Sequence, residues 1–266
     1  MTTTDYTDIA YETAAPVARI TLNRPDKRNP IGPHTVGELL HALERARTDA
    51  AVRVVIITGA GKVFSAGGDL SRMGSGGTPL QSGASATTRP GTFVDLNLAL
   101  TRLGKPTVAM VNGHALAGGL GLVVACDVAI AADTAQFGTP EINVGLWPMM
   151  IMATIFRNVP RKRGLELMLT GDKVSAAEAE KIGLITRAVP ADKLQSEVDA
   201  LVAKLADKSP RVTALGLEAF HATQDMELEP ALRHLEGQLV AVLGTSDARE
   251  GLMAFLEKRK PNWTGT

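Results

Sequence analysis

Three short stretches of this chain hold residues whose type and spacing could do chemistry. "GKVFSAGGDL" (61–70) follows a β-branched run. "GHALAGGLG" (113–121) follows another and opens an apolar segment. "QFGTPEINVG" (136–145) sets one glutamate in a weakly charged stretch. In the first two, backbone N–H groups left bare by glycine could converge at a strand end and a helix N-terminus, where they stabilise negative charge developing on an oxygen. The same glycines also serve tight turns and close helix packing. In the third, Glu141 follows Pro140 and precedes "INVGLWPMMIMATIF". A carboxylate walled by Ile142, Val144, Trp147 and the methionines is partly desolvated, which raises its pKa and suits it to acid/base work. A surface or salt-bridged glutamate is the plainer reading of the same residue.

The segment "GHALAGGLGLVVACD" (113–127) sharpens the question. It has the apolar content of a buried helix, yet its first half carries glycines that each cost a helix interior about 0.5–1 kcal/mol relative to alanine. Nucleotide-phosphate chemistry does not explain them. "GAGK" (59–62) lacks the earlier glycine of a phosphate-binding loop, and "GGLG" fails the dinucleotide fingerprint.

The elements that must position these residues alternate in type. "IAYET" and "VARITLN" flank the turn-prone "AAP" and predict a hairpin. "HTVGELLHALERARTD" places Val36, Leu39, Leu40, Leu43 and Ala46 on one helical face. "VRVVIITG", "PTVAMVNG" and "DVAIAA" read as buried strands, the last two separated by the glycine-rich helix. Strand–helix–strand alternation predicts an α/β core, and no sequence period marks a repeat. Residues 74–91, "GSGGTPLQSGASATTRPG", read as a long loop, either a tolerated surface insertion or a flap beside a ligand site. Past Pro190 come consecutive amphipathic helices, the last with an Asp247-x-x-Glu250 cap. The division is a core over 1–200 and a helical region over 201–266.

Composition narrows the function classes. Lys+Arg and Asp+Glu are both 28 among 266 residues, so the balanced charge points to neither a nucleic-acid partner nor an acidic membrane surface. No apolar run reaches the length of a membrane span, and the start, "MTTTDYTDIAYET", lacks the basic region and apolar core of a signal peptide. Cys126 is the single cysteine and reads as a buried, inert thiol. The five histidines show no metal-ligand spacing, so no metal is expected. These features predict a soluble cytoplasmic protein.

The order "FSAGGDL", "GHALAGG…CD", "QFGTPEINVG" resembles the enoyl-CoA hydratase/isomerase family, or crotonase superfamily. The resemblance runs from "ITLNRPDKRNP" (20–30) through "LTGDKVSAAEAEKIGLITRAV" (169–189) to "EGLMAFLEKRKPNW" (250–263). It implies an α/β fold with a repeated ββα superhelix core, a C-terminal helical trimerisation region, and a homotrimer or dimer of trimers. It also implies an acyl-CoA thioester substrate, whose coenzyme A leaves no separate cofactor to be bound. By position, Gly68 and Gly118 match the residues whose N–H groups form the family's oxyanion hole. Ser65, Ala66, Asp69 and Leu70 match backbone that cups the CoA adenine and pantetheine. Lys27 or Arg28 matches a cation near the CoA phosphates, and Phe255 and Lys258 match C-terminal CoA contacts, commonly from a neighbouring subunit. Ser175-x-x-Glu178 is a capping box with a structural role.

The chain departs from the pattern of two-carboxylate hydratases. Glu141 matches their second glutamate, while the first falls on Gly121, which has no side chain. Hydration needs a base to aim water at C3 and an acid at C2; moving a double bond needs one group that takes a proton from one carbon and returns it to another. The resemblance therefore favours isomerisation through Glu141. Two alternatives stay open, a 2-enoyl-CoA hydratase whose water is held by other groups and a non-catalytic acyl-CoA-binding protein. Met149, Met150, Ile151 and Met152, where many relatives have glycines, either reshape the acyl pocket or pack the core.

Overall fold

A computed structural model of the chain describes residues 6–69 and 91–266. Leu70 and residues 74–90 of the expected loop lie outside the described residues. The predicted hairpin forms from β1 (Ile9–Ala14) and β2 (Val17–Leu22), antiparallel with Ile9 opposite Leu22 and Ala14 opposite Val17. β2 alternates, burying Ala18, Ile20 and Leu22. Helix α1 (Pro33–Thr48) follows, with Val36, Leu39, Leu43 and Ala46 buried and Leu40 partly so.

The chain then repeats a unit of long strand, short strand and helix. The first is β3 (Val54–Gly59), β4 (Val63–Ser65) and α2 (Phe93–Thr101); the second is β5 (Thr107–Val111), β6 (His114–Leu116) and α3 (Gly118–Ala125). The third is β7 (Val128–Ala132), β8 (Gln136–Gly138), a 3-10 turn over Pro140–Val144 and α4 (Met149–Asn158). Then come α5 (Arg161–Thr170), β9 (Lys173–Ser175), α6 (Ala176–Lys181), β10 (Arg187–Val189) and α7 (Leu194–Ala206). The repeat is invisible in the sequence because its short strands, three residues each, are too brief to show alternation.

The long strands form one sheet in the order β1-β2-β3-β5-β7-β10, parallel beyond the first pair. Both faces are covered, as unbroken apolar strands require. Alternate residues serve opposite faces. Val55, Ile57, Ala109, Val111, Ala129 and Ala131 join the main core, while Val54, Ile56, Val108, Met110, Ile130 and Ala132 meet Leu194, Val198 and Val202 of α7. The division drawn at residue 200 thus falls inside α7, a helix that belongs to the sheet. The short strands form a second sheet in the order β4-β6-β8-β9.

Helices α8 (Pro210–Thr223), α9 (Leu228–Leu243) and α10 (Ser246–Leu256) end the chain. The cap of α10 is Thr245, whose Oγ1 accepts from the Ala248 N–H at 3.0 Å, and not Asp247. Asp247 is instead buried and accepts from Ser209 Oγ and from the Thr264 and Gly265 N–H groups, tying the C-terminal tail to the start of α8. Ser175 does cap α6, accepting from the Glu178 N–H at 3.2 Å. Among the described residues no helix is long and apolar enough to cross a membrane.

Candidate active site

Strands β4, β6 and β8 are adjacent and parallel, so their C-terminal ends lie side by side along one edge of the small sheet. β4 ends at Ser65, β6 at Leu116 and β8 at Gly138. Each is followed within three residues by one of the predicted functional groups: Gly68, Gly118 and Glu141. Ligands of α/β proteins gather at such strand ends, and the topology alone assembles three segments that are far apart in sequence.

The two glycines are close neighbours. The Gly68 nitrogen lies 3.9 Å from where a Cβ on Gly118 would stand. Gly67, at φ 100°, makes this approach possible, since a side chain there would meet Ala117 Cβ at 2.5 Å. Ala117 is itself in an unusual conformation, with φ 50° and ψ −128°, and is held by its N–H on Gly138 O (2.9 Å) and its carbonyl under the Gly121 N–H (3.0 Å). Such strain persists only where the surroundings fix it. Gly118 is the first residue of α3, so its N–H has no intrahelical acceptor. Among the described residues neither the Gly68 nor the Gly118 N–H has a hydrogen-bond partner.

Glu141 lies in the 3-10 turn after β8 and is half-buried. Burial raises its pKa, offset in part by its own backbone N–H. Its Oε2 is buried and has no hydrogen-bond partner among the described residues. A desolvated carboxyl group with one oxygen unpartnered is suited to exchange protons with a ligand. The expected wall is only partly present. Trp147 is half-buried with its Nε1–H on Met152 Sδ at 3.5 Å, but Val144, Met149 and Met150 are more than half exposed. In the single chain these three side chains do not close over the site.

The space beside Gly121 is filled. A Cβ there would fall 3.0 Å from Ile151 Cβ and 3.0 Å from Phe93 Cζ, and closer still to Ile151 Cγ2. The backbone is ordinary helix, with Gly121 N–H on Ala117 O. Packing, not conformation, excludes a side chain. Ile151 therefore packs the core at this point, while Phe93 also lies 3.8 Å from the Cβ position of Gly118. No signal marked Phe93, which stands just after the low-complexity segment and contributes only through tertiary packing.

The other predicted residues divide into two groups. Ala66 and Gly68 are exposed at the end of β4, next to exposed Lys27 and Arg28, since the Ala66 N–H donates to Arg28 O at 2.9 Å. Ser65 is fully buried, its Oγ donating to Asn29 O, and Asp69 is ion-paired with Arg24 at 3.2 Å. Phe255, 79% exposed, and Lys258 lie at the end of α10, which packs chiefly on α8 and α9. Cys126 is buried, its thiol on Leu122 O and its pKa raised by burial.

The chain as a whole is similar to known proteins. The chain matches the enoyl-CoA hydratase/isomerase family over residues 12–266. It is 35% identical over 252 residues to a Dictyostelium discoideum protein named "Probable enoyl-CoA hydratase, mitochondrial", covering 93% of this chain and 87% of that one. Its fold matches the crystal structure of a Mycobacterium smegmatis enoyl-CoA hydratase with a TM-score of 0.88 at 32% identity, covering 97% of this chain and 99% of that one. It also matches human enoyl coenzyme A hydratase domain-containing protein 3, with a TM-score of 0.89 at 32% identity, covering 97% of this chain and all of that one (100%). The chain thus belongs to the enoyl-CoA hydratase/isomerase family of enzymes, within the crotonase superfamily.

Proposed function

We propose that the protein moves a double bond in an acyl-CoA thioester, with Glu141 as its single acid/base. The Gly68 and Gly118 N–H groups polarise the thioester carbonyl and stabilise the enolate formed when Glu141 removes a proton from a 3-enoyl chain. Glu141 then returns the proton at the far carbon to give the 2-enoyl form. The observation that carries this reading is the packing at Gly121: Ile151 and Phe93 occupy the space a second carboxylate would need. A pocket with one carboxyl group can shuttle a proton, but has no second group to aim water.

Exposed Lys27, Arg28 and Ala66, beside the oxyanion segment, suit the binding of the phosphates and adenine of CoA. Assembly as a trimer or a dimer of trimers is supported by α9, which buries nothing in the single chain. Its Leu228, Leu232, Leu235, Leu239 and Leu243, at helical spacing, are all between 39% and 74% exposed, and a stripe of this kind marks a contact surface. Phe255 and Lys258 would then reach CoA from a neighbour.

Hydration of a 2-enoyl thioester is the second reading, favoured by the names of the relatives. The two separate on a panel of 2-enoyl- and 3-enoyl-CoA thioesters followed by ultraviolet absorbance and mass. Conversion of 3-enoyl to 2-enoyl thioester with little 3-hydroxyacyl product supports isomerisation. The reverse pattern contradicts it.

A further inference from the structure

Asn29 holds together the segment that carries Gly68. It is 1% exposed and sits at φ 52°, in the left-handed region that asparagine enters more readily than most residues. Its Oδ1 accepts from the Arg24 N–H at 2.9 Å. Its Nδ2 faces three carbonyl oxygens, Ala60 (2.9 Å), Val63 (3.0 Å) and Phe64 (3.1 Å), which flank or belong to β4. Three acceptors around one atom fix the orientation of the amide. The Asn29 carbonyl accepts from Ser65 Oγ at 2.7 Å, and that same Oγ accepts from the Gly67 N–H at 3.1 Å. The neighbours of Asn29 complete the seam. Arg28 O receives the Ala66 N–H at 2.9 Å, the Ile31 N–H donates to Gly67 O at 2.8 Å, and Ile31 pairs with Gly68 in an isolated bridge. The loop from Val63 to Gly68 is thus fastened to residues 28–31, and the Asn29 side chain is the part of that fastening no other residue type can supply.

We propose that Asn29 is the positioning residue of the oxyanion hole, setting the height of the 65–68 loop so that the Gly68 N–H stays beside that of Gly118. This rests on the reading of Gly68 as an oxyanion donor. Asn29 touches no reacting atom. Its amide acts through the Val63 and Phe64 carbonyls of β4, and its backbone carbonyl through Ser65 Oγ, on the direction of one N–H; such donors work only within a narrow geometry, a displacement near 1 Å costing about 10²-fold in rate.

The test compares Asn29→Gly, Asn29→Asp and Gly68→Pro with the unmodified protein. Asn29→Gly keeps the left-handed backbone free of strain and removes only the side-chain bonds. Turnover of 3-hexenoyl-CoA gives kcat and KM, and the infrared carbonyl stretch of bound hexanoyl-CoA, labelled with carbon-13 at the thioester carbon, reports polarisation. Circular dichroism confirms folding. Asn29→Gly should lower kcat about 10–100-fold, leave KM within about threefold, and shrink the downshift of the carbonyl stretch. A folded Asn29→Gly protein that keeps both the downshift and kcat, while Gly68→Pro loses them, overturns the positioning role alone. If the unmodified protein shows no downshift, or Gly68→Pro keeps it, the oxyanion reading falls and the proposal with it. Should Asn29→Gly fail to fold, Asn29→Asp keeps Oδ1 for the Arg24 N–H and removes the Nδ2 donor, and carries the same expected and overturning results.

Discussion

Ile151 stands where a side chain on Gly121 would have to grow, its Cβ 3.0 Å from the position a Gly121 Cβ would take. With Phe93 Cζ at the same distance, the absence of a carboxylate is built into the packing of α3 against α4 and α2. One substitution does not restore it.

Gly121→Glu alone should therefore destabilise the protein by at least the 1–3 kcal/mol typical of overpacking, about that range being a floor for a buried charge, and should bring no hydratase activity. Gly121→Glu with Ile151→Gly removes the closer of the two obstructions. The double variant, if folded, should hydrate a 2-enoyl-CoA about 10²-fold faster than the unmodified protein, the lower end of what a positioned acid/base contributes. Thermal melting and a hydration assay on both variants check this. Efficient hydration by the folded single variant would contradict it.

Glu141→Gln should keep thioester binding and lose about 10²–10⁴-fold in turnover. Glu141 must be ionised to take a proton, so the rate should fall as pH drops through its pKa. Because burial raises that pKa, the fall should begin above the range of an ordinary glutamate, about 4.3. The linkage to stability has the matching sign. A raised folded-state pKa gives stability that is full below the unfolded value and lost as pH rises through the folded value. The melting temperature of Glu141→Gln relative to the unmodified protein should therefore rise between acid and neutral pH. A pH-independent difference would contradict the burial of the charge.

Gly118→Pro deletes one oxyanion donor at the first position of α3, where proline's fixed φ suits a helix. The variant should lose about 10²–10³-fold in kcat, the usual worth of such a donor. Circular dichroism confirms that α3 survives. A folded variant with unchanged kcat would remove Gly118 from the hole.

Much of this was legible in the sequence, and what was not has a physical reason. The long strands announce themselves because a strand covered on both faces is apolar throughout, as in "VRVVIITG". The short strands escape because three residues cannot alternate, so the ββα repeat came from the resemblance and not from periodicity. Glu141 could be picked out as a lone carboxylate among apolar neighbours, but its wall could not be counted, because Met149 and Met150 turned outward. Asn29 lay inside the quoted "ITLNRPDKRNP" without standing out, since its role depends on carbonyls more than 30 residues ahead. Phe93 and Ile151 owe their importance to a residue with no side chain, and only coordinates show what fills that space.

The stripe on α9 predicts its own partner. Leu232→Glu with Leu239→Glu places charges in the middle of an exposed apolar face, where they cost the single chain little and an interface much. The unmodified protein should scatter light as a trimer or hexamer at micromolar concentration and the double variant as a monomer with reduced CoA-thioester affinity. A fully active unmodified monomer would contradict assembly through this face.

Oxygen-18 incorporation separates the two chemistries most directly. With a 3-enoyl-CoA in labelled water, the unmodified protein should yield the 2-enoyl thioester without solvent oxygen, and with a 2-enoyl-CoA it should incorporate the label only slowly. Rapid appearance of the label in a 3-hydroxyacyl-CoA would mean that Glu141 and a water held by other groups suffice for hydration, and isomerisation would not be the reaction of this site.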